Sequence, residues 1–373
     1  MIIKKIFIIS TILLLVIVVF FGIYLIAFKP RDVQNIVNDV EENMDIVGVE
    51  SEKITNITSE SVISAALGPN DDTIRYVDGV SGRVWTTTLR GSNKEMLKKE
   101  TLGTPQTVKW SHDGNAAIIK YPNNSIYVNN FVTNTDSRLR DGMDDVVWAG
   151  MDDKILYKYY DAQSKERSLN IANSDGTNWK KIADLPFRDT IFAHIPLSIL
   201  VAYWPQAQSD VSTELFTTNT ISDGESKKVF FGLFGGDFLF SPDGKKILVS
   251  SVQSDKKTIT IGIMDSNGKN YNDLLVPTFI QKTVWSKDGK SIYYAQPTEI
   301  PASSILPEDY NSGKFMTKDT FYKMDVTTGK KQRIIDLQEI KEKVDAYNLF
   351  LSPMEDTLYF INKGDRLLYR ISL

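Results

Sequence analysis

The chain has 373 residues and a nearly balanced charge, 43 Lys and Arg against 47 Asp and Glu, for a net charge of -4. It therefore lacks the basic footprint that nucleic-acid binding requires, and no nucleic-acid partner is expected. The absence of cysteine excludes disulfides, thiolate metal sites, a cysteine nucleophile and a lipid anchor on Cys.

Residues 1–5 form a short tail carrying Lys4 and Lys5, expected to stay in the cytoplasm. Residues 6–28 are 23 consecutive uncharged residues rich in Ile, Leu, Val and Phe, with Lys29 and Arg31 beyond them. About 20 apolar residues span a bilayer. A cleaved signal peptide has a shorter apolar core and a small-residue cleavage site, which Ala27-Phe28-Lys29 does not supply. The segment predicts a single uncleaved transmembrane signal anchor, with the rest of the chain outside the cytoplasm. Residues 29–50 read as a juxtamembrane linker in which Val33, Ile36, Val37, Val40 and Met44 keep helical spacing.

Residues 51–373 are organised by one recurring pattern, clearest in DFLFSPDGKKILVSS from Asp237. Phe238 and Phe240 alternate before a tight turn, and Ile247 and Val249 alternate after it, as in a half-buried hairpin. Pro242 presets φ for the first corner, Asp243 bonds nearby backbone, and Gly244 enters the left-handed region without a Cβ clash. Ser111, Asp113 and Gly114 occupy the same places in VKWSHDG, Ser286, Asp288 and Gly289 in TVWSKDG, and Ser352 and Pro353 in LFLSPMED. VVWAGMDD is a further copy, and two fainter ones are AALGPNDD and IFAHIPLS. Aligned on Gly68, Ser111, Ala149, Ala193, Ser241, Ser286 and Ser352, they are separated by 43, 38, 44, 48, 45 and 66 residues. A period near 40–45 residues containing several strands is a propeller signature.

Each copy continues with further strand and turn patterns, as in LNIANSDGTNWKKI, ITIGIMDSNGKNYNDLL and FYKMDVTTGKKQRIIDL, making four strands per repeat. Residues 60–373 resemble the WD40-like, SPDG-bearing propeller family found in TolB and in propellers of prolyl oligopeptidase-like proteins. The resemblance implies an all-β, seven-bladed β-propeller of four-stranded blades, and the apolar run 6–28 is expected to place one transmembrane helix before it. It implies fold rather than activity. The last repeat runs out of chain before a fourth strand, so residues 54–58 are expected to complete it and cover its edge.

The anchor aromatics Trp110, Trp148, Phe240 and Trp285 recur at one strand position, which predicts packing between blades. His112 and His194 fall in turn regions and read as surface histidines. Lys290 and Ser291 after Gly289 lack the earlier glycine of a phosphate loop, and Asp141, Asp144 and Asp145 lack the order of a calcium loop. No serine sits in a GxSxG elbow, and the SxDxGxxW turn of sialidases loses its tryptophan. Neither catalytic residue, metal nor cofactor is expected.

Two connections exceed the repeat, 204–214 and 296–319. Both join second to third strands and so share a face. They carry Trp204, Tyr310 and Phe315, the candidate binding residues, as exposed anchors. The expected function is a membrane-anchored extracytoplasmic module that binds an envelope or secreted protein, a peptide or a glycan. The alternative is a propeller-type glycan hydrolase or lyase with acidic residues converging on the central channel.

Overall fold

The computed structural model describes residues 53–150, 153–221, 225–340 and 343–373, within a chain that divides into two units, Met1–Glu50 and Ser51–Leu373. The expected anchor and linker lie outside the described residues. Among the described residues no helix is long and apolar enough to cross a membrane.

The second unit is all-β. A short strand, β1 (Ile54–Asn56), precedes the repeats, whose strands form six antiparallel sheets. Repeat 1 holds β2 (Val62–Leu67), β3 (Thr73–Asp78), β4 (Val84–Thr88) and β5 (Glu95–Lys98). Repeat 2 holds β6 (Thr107–Trp110), β7 (Ala116–Lys120), β8 (Ile126–Asn130) and β9 (Thr135–Arg138). Repeat 3 holds β10 (Met143–Trp148), β11 (Lys154–Tyr160), β12 (Arg167–Asn173) and β13 (Lys180–Asp184). Repeats 4 and 5 share one seven-stranded sheet: β14 (Thr190–His194), β15 (Leu200–Pro205), β16 (Ser212–Asn219), β17 (Lys227–Phe240), β18 (Lys246–Val252), β19 (Ile259–Asp265) and β20 (Asn272–Val276). Repeat 6 holds β21 (Thr283–Trp285), β22 (Ser291–Pro297), β23 (Asp319–Asp325) and β24 (Lys331–Arg333). Repeat 7 holds β25 (Ala346–Leu351), β26 (Thr357–Asn362) and β27 (Leu368–Ser372).

First strands of successive repeats meet, β2 with β6, β6 with β10, β10 with β14, β21 with β25, and β25 again with β2. The ring therefore closes on itself around its first strands. Its closure is hydrogen-bonded as well. β1 pairs antiparallel with β27, Ile54 opposite Ile371 and Asn56 opposite Tyr369, and Ile57 N–H donates to the Leu368 carbonyl at 2.7 Å. The outer edge of β27 is thus covered by β1.

Apolar clusters lie between sheets rather than within them. Ile74 and Tyr76 of repeat 1 pack on Tyr359, Ile361 and Leu368 of repeat 7, and Val77 and Val84 pack on Val108 and Ile119 of repeat 2. The anchor tryptophans serve this seam. Trp148 Nε1 donates to the Lys109 carbonyl at 2.9 Å, and Trp285 Nε1 to the Leu239 carbonyl at 3.4 Å, in each case on the preceding repeat.

The repeat turn is a small hydrogen-bonded unit. Ser241 Oγ–H donates to Asp243 Oδ1 at 2.7 Å, the carboxylate accepts from Lys245 N–H, and Lys246 N–H donates to Ser241 Oγ. Ser111 with Asp113 and Ser286 with Asp288 repeat these bonds, while Ser352 turns to Asp356 instead. Gly244 has φ +68, and a Cβ there would lie 2.2 Å from the Pro196 carbonyl oxygen of the preceding repeat. Both conformation and space demand glycine.

Two sequence assignments shift. The fourth turn is fixed by Ile195 N–H donating to the Leu200 carbonyl, the equivalent of Ser241 to Lys246, so the copy aligns at Ile195 and not Ala193. His194-Ile195-Pro196-Leu197 lacks the Ser and Asp that mark the other turns, which hides its register. Trp204 belongs to β15, paired opposite Ile191, and the connection after it begins only beyond Pro205.

Candidate binding face

The connection 298–318 is closed at its base by Thr298 N–H donating to the Lys318 carbonyl at 2.8 Å. Within it a single helical turn, α1 (Glu308–Asn311), follows Pro307. Its bonds reach four repeats. Glu308 Oε1 accepts from the Ser209 N–H and hydroxyl at 2.7 and 2.9 Å, joining the connection to that of repeat 4. Leu306 N–H donates to the Lys256 carbonyl of repeat 5, and Gln281 Nε2 donates to Asn311 Oδ1 beside repeat 6. The fourth tie is Tyr310, whose hydroxyl donates to Asp345 Oδ1 of repeat 7 at 2.7 Å. The two long connections thus share a face and touch.

Trp204 and Tyr310 are buried, at 2% and 1% exposure, and offer no contact area. Trp204 packs edge-on against Phe238 and donates its indole N–H to Asp237 Oδ1 at 3.0 Å. Burial pushes the Asp237 carboxyl above its usual range, against the pull of that donor. Tyr310 stacks on Phe279 at 4.1 Å and lies against a half-buried Phe315, over a floor of Val252, Ile259 and Leu306. Exposed apolar area on this connection belongs instead to Ile305, at 47%, and Met316, at 63%. Sequence position alone does not tell a loop aromatic that plugs its own loop from one that faces solvent.

Beneath Tyr310 lies a charge cluster that the repeat pattern does not reveal. Lys282, fully buried, places Nζ 2.5 Å from Asp319 Oδ2, 2.6 Å from Asp345 Oδ1 and 3.1 Å from the Ala346 carbonyl. Asp319 Oδ2 also accepts from Ala346 N–H, and Asp345 Oδ2 from Thr317 N–H. Burial pushes the Asp319 carboxyl up; at Asp345 burial acts in the same sense but Lys282 outweighs it and holds the carboxyl down. Lys363 Nζ lies 3.8 Å from the Tyr310 ring centre, where burial, opposed by Asp345, pushes the ammonium down to about 8. The only sequence trace is that Lys282, Asp319 and Asp345 each stand beside the start of a strand.

On the turn face, a cavity of ≈ 460 Å³ opens between β2, β6 and β25, lined by Trp110, Phe350, His112, Lys109, Lys287 and Asp71 among others. Asp71 is its sole carboxylate and lies 3.4 Å from Lys287 Nζ, while Lys109 pairs with Asp145 at 2.7 Å. His194 lines a separate groove between repeats 3 and 4. Asp141, Asp144 and Asp145 each face a different cation, Arg138, Lys158 and Lys109. Among the described residues no three His, Cys, Asp or Glu side chains are grouped to hold a metal ion.

No family profile matches the chain, and no curated protein sequence matches it. Solved structures do. An oligogalacturonate lyase in complex with manganese is 12% identical, superposes with a TM-score of 0.62, and is matched over 86% of this chain and 93% of its own. An oligogalacturonate lyase from Vibrio parahaemolyticus is 10% identical with a TM-score of 0.63, over 86% and 93%. The β-propeller domain of Cps50 (Swd1) from Myceliophteria thermophila is 10% identical with a TM-score of 0.56, over 86% and 99%. At such identities the likeness carries the fold alone. The described residues have the all-β fold of β-propeller domains.

Proposed function

We propose that this chain is a membrane-anchored binding module: a seven-bladed propeller held outside the cytoplasm by residues 6–28, taking an envelope or secreted protein, peptide or glycan on its insertion face. The blade count follows from reading the seven-stranded sheet as two blades joined through β17, whose residues 227–234 pair with β16 and whose residues 234–240 pair with β18. The observation that carries the binding reading is the strap 298–318. It is bonded to four repeats and holds Ile305 and Met316 outward on a rigid support, and pre-organised apolar side chains are what binding anchors require. Tyr310 and Phe315 fasten it from beneath rather than serve as contacts, and Trp204 packs on Phe238 between repeats 4 and 5.

The alternative, a glycan hydrolase or lyase, needs acidic groups converging on the channel. The channel-side cavity offers Asp71, already beside Lys287. The reading is tested with a photo-reactive amino acid placed singly at Ile305, Met316 or Lys245 of the full chain in its native cells. Covalent adducts are expected from the first two positions and not from Lys245, which lies in the repeat turn; adducts from Lys245 alone would remove the assignment. Release of unsaturated product from polygalacturonate by the purified chain would favour the lyase.

A further inference from the structure

Seven of the 18 large hydrophobic side chains exposed among the described residues lie in repeat 4, including Leu197, Val211, Ile221, Phe231 and Phe234. The outer edge of this repeat is also unlike the others. The outer strands β1, β5, β9, β13, β20 and β24 run three to five residues, and all but β1 carry charged side chains. Short, charged edges are how sheets avoid pairing with other chains. In repeat 4 the outer edge is residues 227–234 of β17, reading KKVFFGLF; residues 227–233 pair with β16 alone, Phe234 also pairs with Val252 of β18, and the Val229 carbonyl faces Gly268 of the next repeat. Phe231 is 72% exposed and Phe234 42%.

We propose that this edge is where a second copy of the chain docks, the two β17 edges lying antiparallel across a two-fold axis. The charges favour that arrangement over a parallel one. Antiparallel pairing brings Lys227 of one copy to the Phe234 end of the other, where Ser212 is the register partner and Asp210 is exposed nearby. Parallel pairing would set Lys227 and Lys228 against their own counterparts, and like charges directly opposite destabilise a sheet. Register shifts opposite Thr213/Glu214 and Leu215/Phe216 bulge the strand, so the Phe231 and Phe234 side chains contribute contact beside the main chain. An isologous contact of this kind closes at two copies and does not propagate.

The chain contains no cysteine, so an introduced thiol is its only one. The full-length chain in mild detergent is expected to sediment as a dimer, and Phe231→Lys to weaken self-association about tenfold or more with its melting temperature retained. Phe231→Cys is expected to give a disulfide-linked dimer on oxidation, whereas Leu275→Cys, equally exposed on the outer strand β20, is expected to stay monomeric. A wild-type chain that is monomeric at every concentration overturns the proposal. So does a dimer that Phe231→Lys leaves intact, or a monomer whose β17 edge is protected only by an extended peptide from another protein.

Discussion

Lys282 shows most clearly how a single residue sets the geometry of the insertion face. Its ammonium has two carboxylates and a carbonyl as neighbours and is fully buried, so removing its charge would leave Asp319 and Asp345 facing each other in a buried site. Lys282→Met is expected to lower stability by about 3–5 kcal/mol, read by denaturant unfolding, because an unpaired buried charge costs more than the pair contributes. Unfolding at the wild-type midpoint would show the cluster to be dispensable. Lys363 is penalised in the opposite way. Its folded ammonium titrates at about 8, below its ordinary 10.5, so between those values the unfolded chain binds more protons and stability rises with pH. Compared with Lys363→Met, the wild type should therefore gain melting temperature from about pH 8 to 10.5 and keep a constant difference below that. A constant difference across the whole range would mean that its pKa is not depressed.

At the scale of elements, closure by β1 makes a prediction about the N-terminus. Deleting residues 1–59 removes the β1–β27 ladder and the Thr58 Oγ bond to Leu368 N–H, each hydrogen bond being worth about 0.5–1.5 kcal/mol, and exposes an edge. The shortened chain is expected to melt lower and to associate, relative to one lacking residues 1–49 only. Equal melting of two monomers would contradict the closure. This element was legible from sequence because a strand pattern before the first repeat met a missing strand after the last. The repeat turns were legible for a similar reason, since Ser241, Asp243 and Gly244 announce their own local hydrogen bonds. What could not be read was contact between elements distant in sequence. Trp204 looked like a loop residue because the strand ends two residues later than the pattern indicates. Tyr310 looked like an exposed anchor because nothing local shows that Phe279 and Asp345 lie beneath it. The Lys282 cluster draws its members from positions up to 63 residues apart.

For the whole molecule, the ring of sheets is a uniform support and the strap 298–318 is its main departure. By binding repeats 4, 5, 6 and 7 together on one face, the strap joins three sheets into one surface, with Ile305 and Met316 outward. The opposite face keeps short turns whose side chains are spent on their own hydrogen bonds. The most direct test is hydrogen–deuterium exchange of the full chain with and without the partner captured from Ile305 or Met316. Slowed exchange confined to 206–211 and 298–318 is the predicted result; slowed exchange in the turns 241–246 and 286–291, with the strap unchanged, would contradict the account.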